Sequence, residues 1–279
     1  MPLDLIYITN DPAVALIAEK NGVDRVMVDL EQLGKEERQK NINSVKSRHF
    51  IGDVKKVAEV LTKSRLLVRI NPWHEGSREE IEKVIAHGAD SIMLPMWKSE
   101  AEVDAFLRAV NRRVKTTLLL ETKEAVECLD AVLEHPLLDD IHIGLNDLHL
   151  SYGMTFLFEL LADGTVDRLC EKCAAKGVPY GFGGIAKIGK GLVPAEYVIM
   201  EHYRLGSTGV ILSRTFCNAE EIGDMEAVSA LFTEQMALVR AFEASLADKT
   251  EQDYAANRAA VKEYVAQAVQ VIRQRRAAN

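Results

Sequence analysis

Eight short apolar runs, helix-like segments between them, and charged residues gathered at one end of the runs predict an α/β chain of eight βα units. Units of that kind in series close into a parallel barrel, a (β/α)8 TIM barrel, here with an extra C-terminal helical extension. The runs fall at 3–8, 25–30, 66–70, 91–94, 116–120, 140–143, 180–184 and 209–212. Each is nearly continuous in apolar residues rather than alternating, as in strands covered on both faces. A doubly wound open sheet is the competing arrangement, but the first strand is followed by no Gly-rich phosphate fingerprint.

The elements can be justified in chain order. After the first run, Asn10-Asp11-Pro12 places a capping side chain before a proline at a first helical position. After the second run comes a long polar connection from Gln32 to Asp53, containing Ser47-Arg48-His49; connections of that length are usually functional. Ser77-x-x-Glu80 and Ser99-x-x-Glu102 read as capping boxes, and Thr122 as the cap of the helix after the fifth run. Gly22, Gly88 and Gly177 sit where helices should stop. In the tail, Val228, Phe232, Val239, Phe242 and Leu246 share one helical face. Tyr254, Val261, Val265, Val269 and Ile272 share a face of a second helix. A barrel needs one helix after its eighth strand, so 219–279 holds one more than 1–279 needs as a single barrel domain. That helix is expected to cover another subunit of a homo-oligomer, a trimer or hexamer, and truncation after Leu246 to separate the subunits.

Composition narrows the class of function. The chain has 279 residues, 48% hydrophobic and 27% charged, which is globular rather than disordered. Its 34 Lys and Arg against 42 Asp and Glu give a net charge of −8, which argues against a nucleic-acid partner. No apolar run reaches the roughly 20 residues that cross a bilayer, so no membrane partner is expected. The N-terminal Met-Pro-Leu-Asp lacks the pattern of a signal peptide. Four cysteines do not make a disulfide framework, so a reducing, cytoplasmic location is expected.

Barrel chemistry belongs at the C-terminal strand ends. These ends supply Asp29, Glu31 and Gln32; Arg69; Pro95, Met96 and Trp97; Glu121; Asp147; Lys187; and Arg214. Glu121 and Asp147 come from adjacent strand ends. They read as a Mg²⁺ or Mn²⁺ site, as a general acid/base pair, or as two acids capping helices. Arg69 ends an oily strand and must be paired, either by a substrate carboxylate or by Asp29 or Glu31 next door. His49 is a candidate general base or a loop histidine. His142 reads as a packed core or interface residue, and His149 as a possible neighbour of the site. Lys187 is either a Schiff-base lysine or, like Lys190, a solvated loop residue. Cys170-x-x-Cys173 lies in a helical stretch and reads as two buried thiols. Trp73 and Trp97 either wall the pocket or pack.

These residues carry a resemblance. Val28-Asp29-Leu30-Glu31, Leu67-Val68-Arg69, Gly88 through Met96, Leu119-Leu120-Glu121-Thr122 and Ile143 through Leu148, in that order, resemble the HpcH/HpaI aldolase and citrate lyase β-subunit family. The resemblance implies a class II, metal-dependent carbon–carbon lyase or aldolase acting on a 2-oxo acid, with pyruvate enolate chemistry and an aldehyde or acyl partner. It places the metal carboxylates on Glu121 and Asp147 and the substrate arginine on Arg69, with Gln32 and the 95–97 backbone lining the substrate. The metal would be Mg²⁺, Mn²⁺ or another divalent ion. Asp29 or Glu31 would orient Arg69 or a metal-bound water. The pattern departs at Gln32, where the family's pyruvate aldolases carry a histidine and its citrate lyase branch an acid. A neutral amide cannot shuttle a proton, so the base falls to His49 or a metal-bound water, or the aldol chemistry is lost. The rivals are a CoA-thioester lyase of the citrate lyase β-subunit type, a Schiff-base aldolase using Lys187, and a non-catalytic metabolite-binding barrel.

Overall fold

The computed structural model describes residues 2–34 and 49–278. Residues 35–48, most of the long connection after the second strand, lie outside the described residues. The eight runs become β1 Asp4–Ile8, β2 Arg25–Asp29, β3 Arg65–Arg69, β4 Ser91–Leu94, β5 Lys115–Leu120, β6 Asp140–Ile143, β7 Tyr180–Ile185 and β8 Gly209–Leu212. They form a closed barrel in sequence order, all parallel, with β1 pairing β8. The described helices are α1 Pro12–Lys20, α2 Ile51–Ala58, α3 Ser77–Ala86, α4 Glu100–Val110, α5 Lys123–Val132, α6 Leu145–Ser151, α7 Glu159–Ala162, α8 Thr165–Ala175, α9 Ala195–Arg204, α10 Ala219–Ile222, α11 Met225–Ser245 and α12 Glu251–Ala278.

Local chemistry sets the helix starts. Asp11 accepts from the Ala13 amide at 2.8 Å, with Pro12 at the first helical position. Ser99 and Glu102 form the reciprocal capping box, and the Thr122 hydroxyl accepts from Ala125 at 3.1 Å. Gly22, Gly88 and Gly177 all take positive φ. The Ser77–Glu80 box does not form. Ser77 is already inside α3, whose cap is Gly76, and its hydroxyl accepts from the His74 amide at 2.8 Å. Glu80 instead reaches past the cap to Asn71 at the end of β3, taking its side-chain NH₂ at 2.8 Å.

The strands separate two apolar cores. The larger lies between the strands and the helices; the smaller fills the lumen with Ile6, Met27, Leu67, Met93 and Leu119. Beside Leu119 in register stands His142, across from Gly181 of β7. Its ring takes the lumen space that β7 leaves with its glycines, and Nε2 lies 3.1 Å from the Gly183 carbonyl oxygen, a contact it makes as donor. A Cβ on Gly181 would collide with the Gly209 carbonyl of β8 and come within 3.0 Å of the His142 ring, so β7 can approach β8 only as glycine. At the closed end, Arg25 bridges Asp4 at 3.0 Å and Asp140 at 3.3 Å.

The two terminal helices lie on their own barrel. α11 packs on α1, and Glu243 accepts from the Leu3 amide at 2.7 Å. α12 packs on α9 and α7, burying Val261, Val265 and Ala268. Its Arg258 meets Asp167 at 3.1 Å, and its Asn257 donates to Glu201 at 2.8 Å. The extra helix thus finds its surface within the same chain, on a groove beside α9.

Two outcomes follow from this packing. Burial of Val261 and Val265 is worth roughly 3–5 kcal/mol, so truncation after Leu246 should lower the melting temperature by at least about 5 °C, read by calorimetry. His142 is pushed down from 6.5 to about 4, first by burial and then by Arg25 and Arg69, against the Gly183 carbonyl. A lowered histidine favours the fold when neutral, so its contribution is full above pH 6.5 and is lost as pH falls toward 4. The loss amounts to about 3 kcal/mol. His142→Gln should flatten the stability profile in that window, measured by urea unfolding.

Candidate active site

Inward-facing positions at the top of the barrel bring Asp29, Arg69 and Glu121 together. Asp29 and Arg69 are register partners across β2 and β3. Their side chains form a bidentate pair, Nε to Oδ1 at 2.9 Å and Nη2 to Oδ2 at 2.8 Å. Glu31 adds a second carboxylate 3.4 Å from Nε. Burial opposes the guanidinium's charge, but Asp29, Glu31 and Glu121 outweigh it and hold Arg69 well above its ordinary range. Among the described residues Nη1 donates no hydrogen bond.

Glu121 follows β5 and is 3% exposed. Its Oε1 accepts from the Met96 amide at 3.0 Å, and Met96 adopts a left-handed φ of 53°. That conformation is rare for a residue with a side chain. It turns the amide after β4 onto the carboxylate, so here this backbone holds Glu121. Gly144 follows β6 beside it; a Cβ there would lie 2.9 Å from Glu121 Oε2. Burial first, then Asp147, push the Glu121 carboxyl well above its ordinary 4.5, with Glu31 adding to them. Arg69 and the Met96 amide pull the other way and lose. Asp147 stands half-buried on the first turn of α6.

The remaining candidates divide. His49 is 3% exposed, with Nδ1 2.9 Å from the Asp29 amide. Gln32 donates from Nε2 to the His49 carbonyl at 3.4 Å. Both residues, with Asn71 and Glu80, line a cavity of about 290 Å³ on the β2–β3 side of the mouth. Pro95 is buried. Trp97 is 1% exposed and belongs to the core between strands and helices. Its indole therefore packs rather than walls the mouth, and its carbonyl accepts from Thr122 at 2.8 Å. Trp73 is half-buried against the same core. His149 has Nδ1 3.1 Å from the Leu145 carbonyl of its own helix, and burial lowers it. Lys187 is half-buried after β7 and Lys190 exposed. Cys170 and Cys173 are buried in α8, and burial pushes both thiols up, Cys173 to about 12, as inert helix cysteines require. Sequence reasoning missed the Met96 turn, Gly144 and the Asn71–Glu80 link. Of these only Gly144, a glycine directly before the Asp147 turn, left a readable signal.

A family profile described as HpcH/HpaI aldolase/citrate lyase matches residues 5–158, more than half of the chain and the stretch that carries Asp29, Arg69, Glu121 and Asp147. The chain belongs to the HpcH/HpaI aldolase/citrate lyase family. Family and fold together make it an aldolase/citrate lyase-type lyase. No curated protein matches the sequence. Among solved structures, an HpcH/HpaI aldolase from Desulfitobacterium hafniense DCB-2 superposes with a TM-score of 0.60 at 15% identity, over 80% of this chain and 92% of that one. The citrate synthase SbnG gives 0.59 at 16%, over 85% and 94%. A tryptophan synthase from M. tuberculosis gives 0.57 at 15%, over 85% and 94%. At these identities the likeness speaks to the barrel; family membership rests on the profile. No described helix of this family member is long and apolar enough to cross a membrane.

The Glu121 shift has a sign that can be tested. A carboxyl raised in the fold works against stability once pH exceeds its unfolded value, because folding then buries a charge. Glu121→Gln should raise the melting temperature by at least about 2 °C at pH 8 in EDTA. The difference should vanish below pH 4.5, where both side chains are neutral. Scanning calorimetry at the two pH values checks it.

Proposed function

We propose that this family member is a divalent-metal-dependent carbon–carbon lyase acting on a 2-oxo acid, with Glu121 and Asp147 as the metal carboxylates and Arg69 as the substrate-carboxylate ligand. The observation that carries the reading is the buried Glu121 carboxylate with Asp147 beside it. Asp29 and Glu31 engage Arg69, and Glu121 lies buried with Asp147 close enough to raise its carboxyl further. A hard divalent cation fits that pair of carboxylates, since Mg²⁺ and Mn²⁺ take one or two carboxylates and complete their shell with water and substrate oxygens. Among the described residues no group of three or more His, Cys, Asp or Glu gathers to hold a metal.

A bound divalent ion supplies Lewis acidity toward an enolate oxygen. The chain's own residues do the rest. Asp29 fixes the plane of the Arg69 fork, so that Nη1 meets an anionic oxygen without reorganising. Met96 holds Glu121 at one oxygen and leaves Oε2 on the side that Gly144 keeps open. The 2-oxo acid, its aldehyde or acyl partner, and the choice of Mg²⁺ or Mn²⁺ belong to this proposal. A CoA-thioester lyase is the second reading; it is favoured by Asp29-Leu30-Glu31 and disfavoured by the neutral Gln32.

The test is exchange of pyruvate's methyl protons in D₂O, followed by proton NMR. EDTA should abolish it, and Mg²⁺ or Mn²⁺ should restore it. Arg69→Lys, which loses the planar fork, should lower the rate by about 10²-fold. Exchange that ignores chelation would sink the metal assignment.

A further inference from the structure

The neutral Gln32 leaves open what this stretch of chain does, and its contacts answer. The His49 ring stands with Nδ1 2.9 Å from the Asp29 backbone nitrogen. A peptide N–H is always a donor, so Nδ1 must present its lone pair and the ring proton must sit on Nε2. A second proton on Nδ1 would face the Asp29 N–H and break that bond. The ring is thereby held in the form that accepts from the backbone.

The amide and both carboxylate oxygens of Asp29 are then engaged. The amide goes to His49, Oδ1 to Arg69 Nε and to the Glu31 amide at 3.2 Å, and Oδ2 to Arg69 Nη2. Gln32 holds His49 in turn, through its side-chain NH₂ on the His49 carbonyl. Both halves are anchored on neighbouring βα turns. The Gln32 and Leu33 amides donate to Asn71 Oδ1 at 2.9 and 3.0 Å, and Asn71 is fixed by Glu80. On the other side, Asp53 accepts from the Phe50 amide and from Asn10 Nδ2, both at 2.9 Å.

We infer that Gln32 and His49 form a clasp that sets the position of Asp29, and that His49 is a positioning residue for the Asp29–Arg69 pair rather than the proton-transfer group. The inference rests on the reading of Arg69 as the substrate-carboxylate ligand. It also gives Gln32 a task that needs no proton: a carboxamide donates to a carbonyl in a geometry that an acid at neutral pH cannot supply.

The test compares full-length His49→Asn, whose Oδ1 can accept where Nδ1 did, with His49→Leu, which cannot. Two readouts are taken: hydrogen–deuterium exchange of the segment 28–33 by mass spectrometry, and pyruvate methyl-proton exchange with Mg²⁺, resolved into kcat and KM. His49→Asn should keep the Asp29 amide protected and kcat within about 5-fold of the parent. His49→Leu should speed Asp29 amide exchange by about 10-fold or more and raise KM for pyruvate by a similar factor. If His49→Leu does not fold, Gln32→Met removes only the hold on the His49 carbonyl and should give a smaller loss of protection. Unchanged protection in these variants overturns the clasp, whatever the substrate. A loss of about 100-fold in kcat for His49→Asn, with the amide still protected, would make the ring the proton carrier and overturn the positioning role. Should the parent protein bind neither pyruvate nor oxalate, the reading of Arg69 fails by itself, and amide exchange still decides the clasp.

Discussion

The register that sets Asp29 beside Arg69 is the constraint on which the mouth depends. In a closed parallel barrel, side chains alternate between lumen and helices, so one shift of β2 against β3 would send one partner into the outer core. An unpaired guanidinium or carboxylate there would cost several kcal/mol. The same alternation aims Glu121 inward at the end of β5 and calls for Gly144 at the end of β6. The acid-rich mouth is thus a consequence of register first and of residue type second.

Around that pair the structure spends backbone groups rather than side chains. The Met96 amide holds Glu121, the Asp29 amide holds His49, and the Gln32 and Leu33 amides hold Asn71. Backbone donors carry no rotamer freedom and cannot titrate, so they fix charged groups more firmly than mobile side chains do. The left-handed turn at Met96 shows what such an anchor costs in conformational strain.

Much of this was legible in the sequence. Strand positions could be read because two-sided burial leaves unbroken apolar runs, and strand ends could be read because charge has no place inside them. The Arg69 pairing followed from the cost of burying a guanidinium alone, and Asp29 was one of the two partners available. What could not be read was geometry that depends on contacts distant in sequence. Ser77 has the spacing of a cap, yet the turn from β3 delivers Gly76 to that place and diverts Glu80 to Asn71. Trp97 follows a strand end, yet its indole turns outward to the core. The hydrophobic face of α12 calls for a surface without naming it, and α9 of the same chain supplies one.

The contacts that join the two ends of the chain bear on how it is made. β1 completes its ladder only with β8, and the Leu3 amide finds its acceptor on Glu243, 240 residues later. A nascent chain therefore carries β1 with one edge unsatisfied until β8 has been made. Exposed strand edges invite pairing with other chains. Barrel closure and the packing of α11 over α1 both wait on later-made segments, which makes the residues after 209 guardians of the residues before 9.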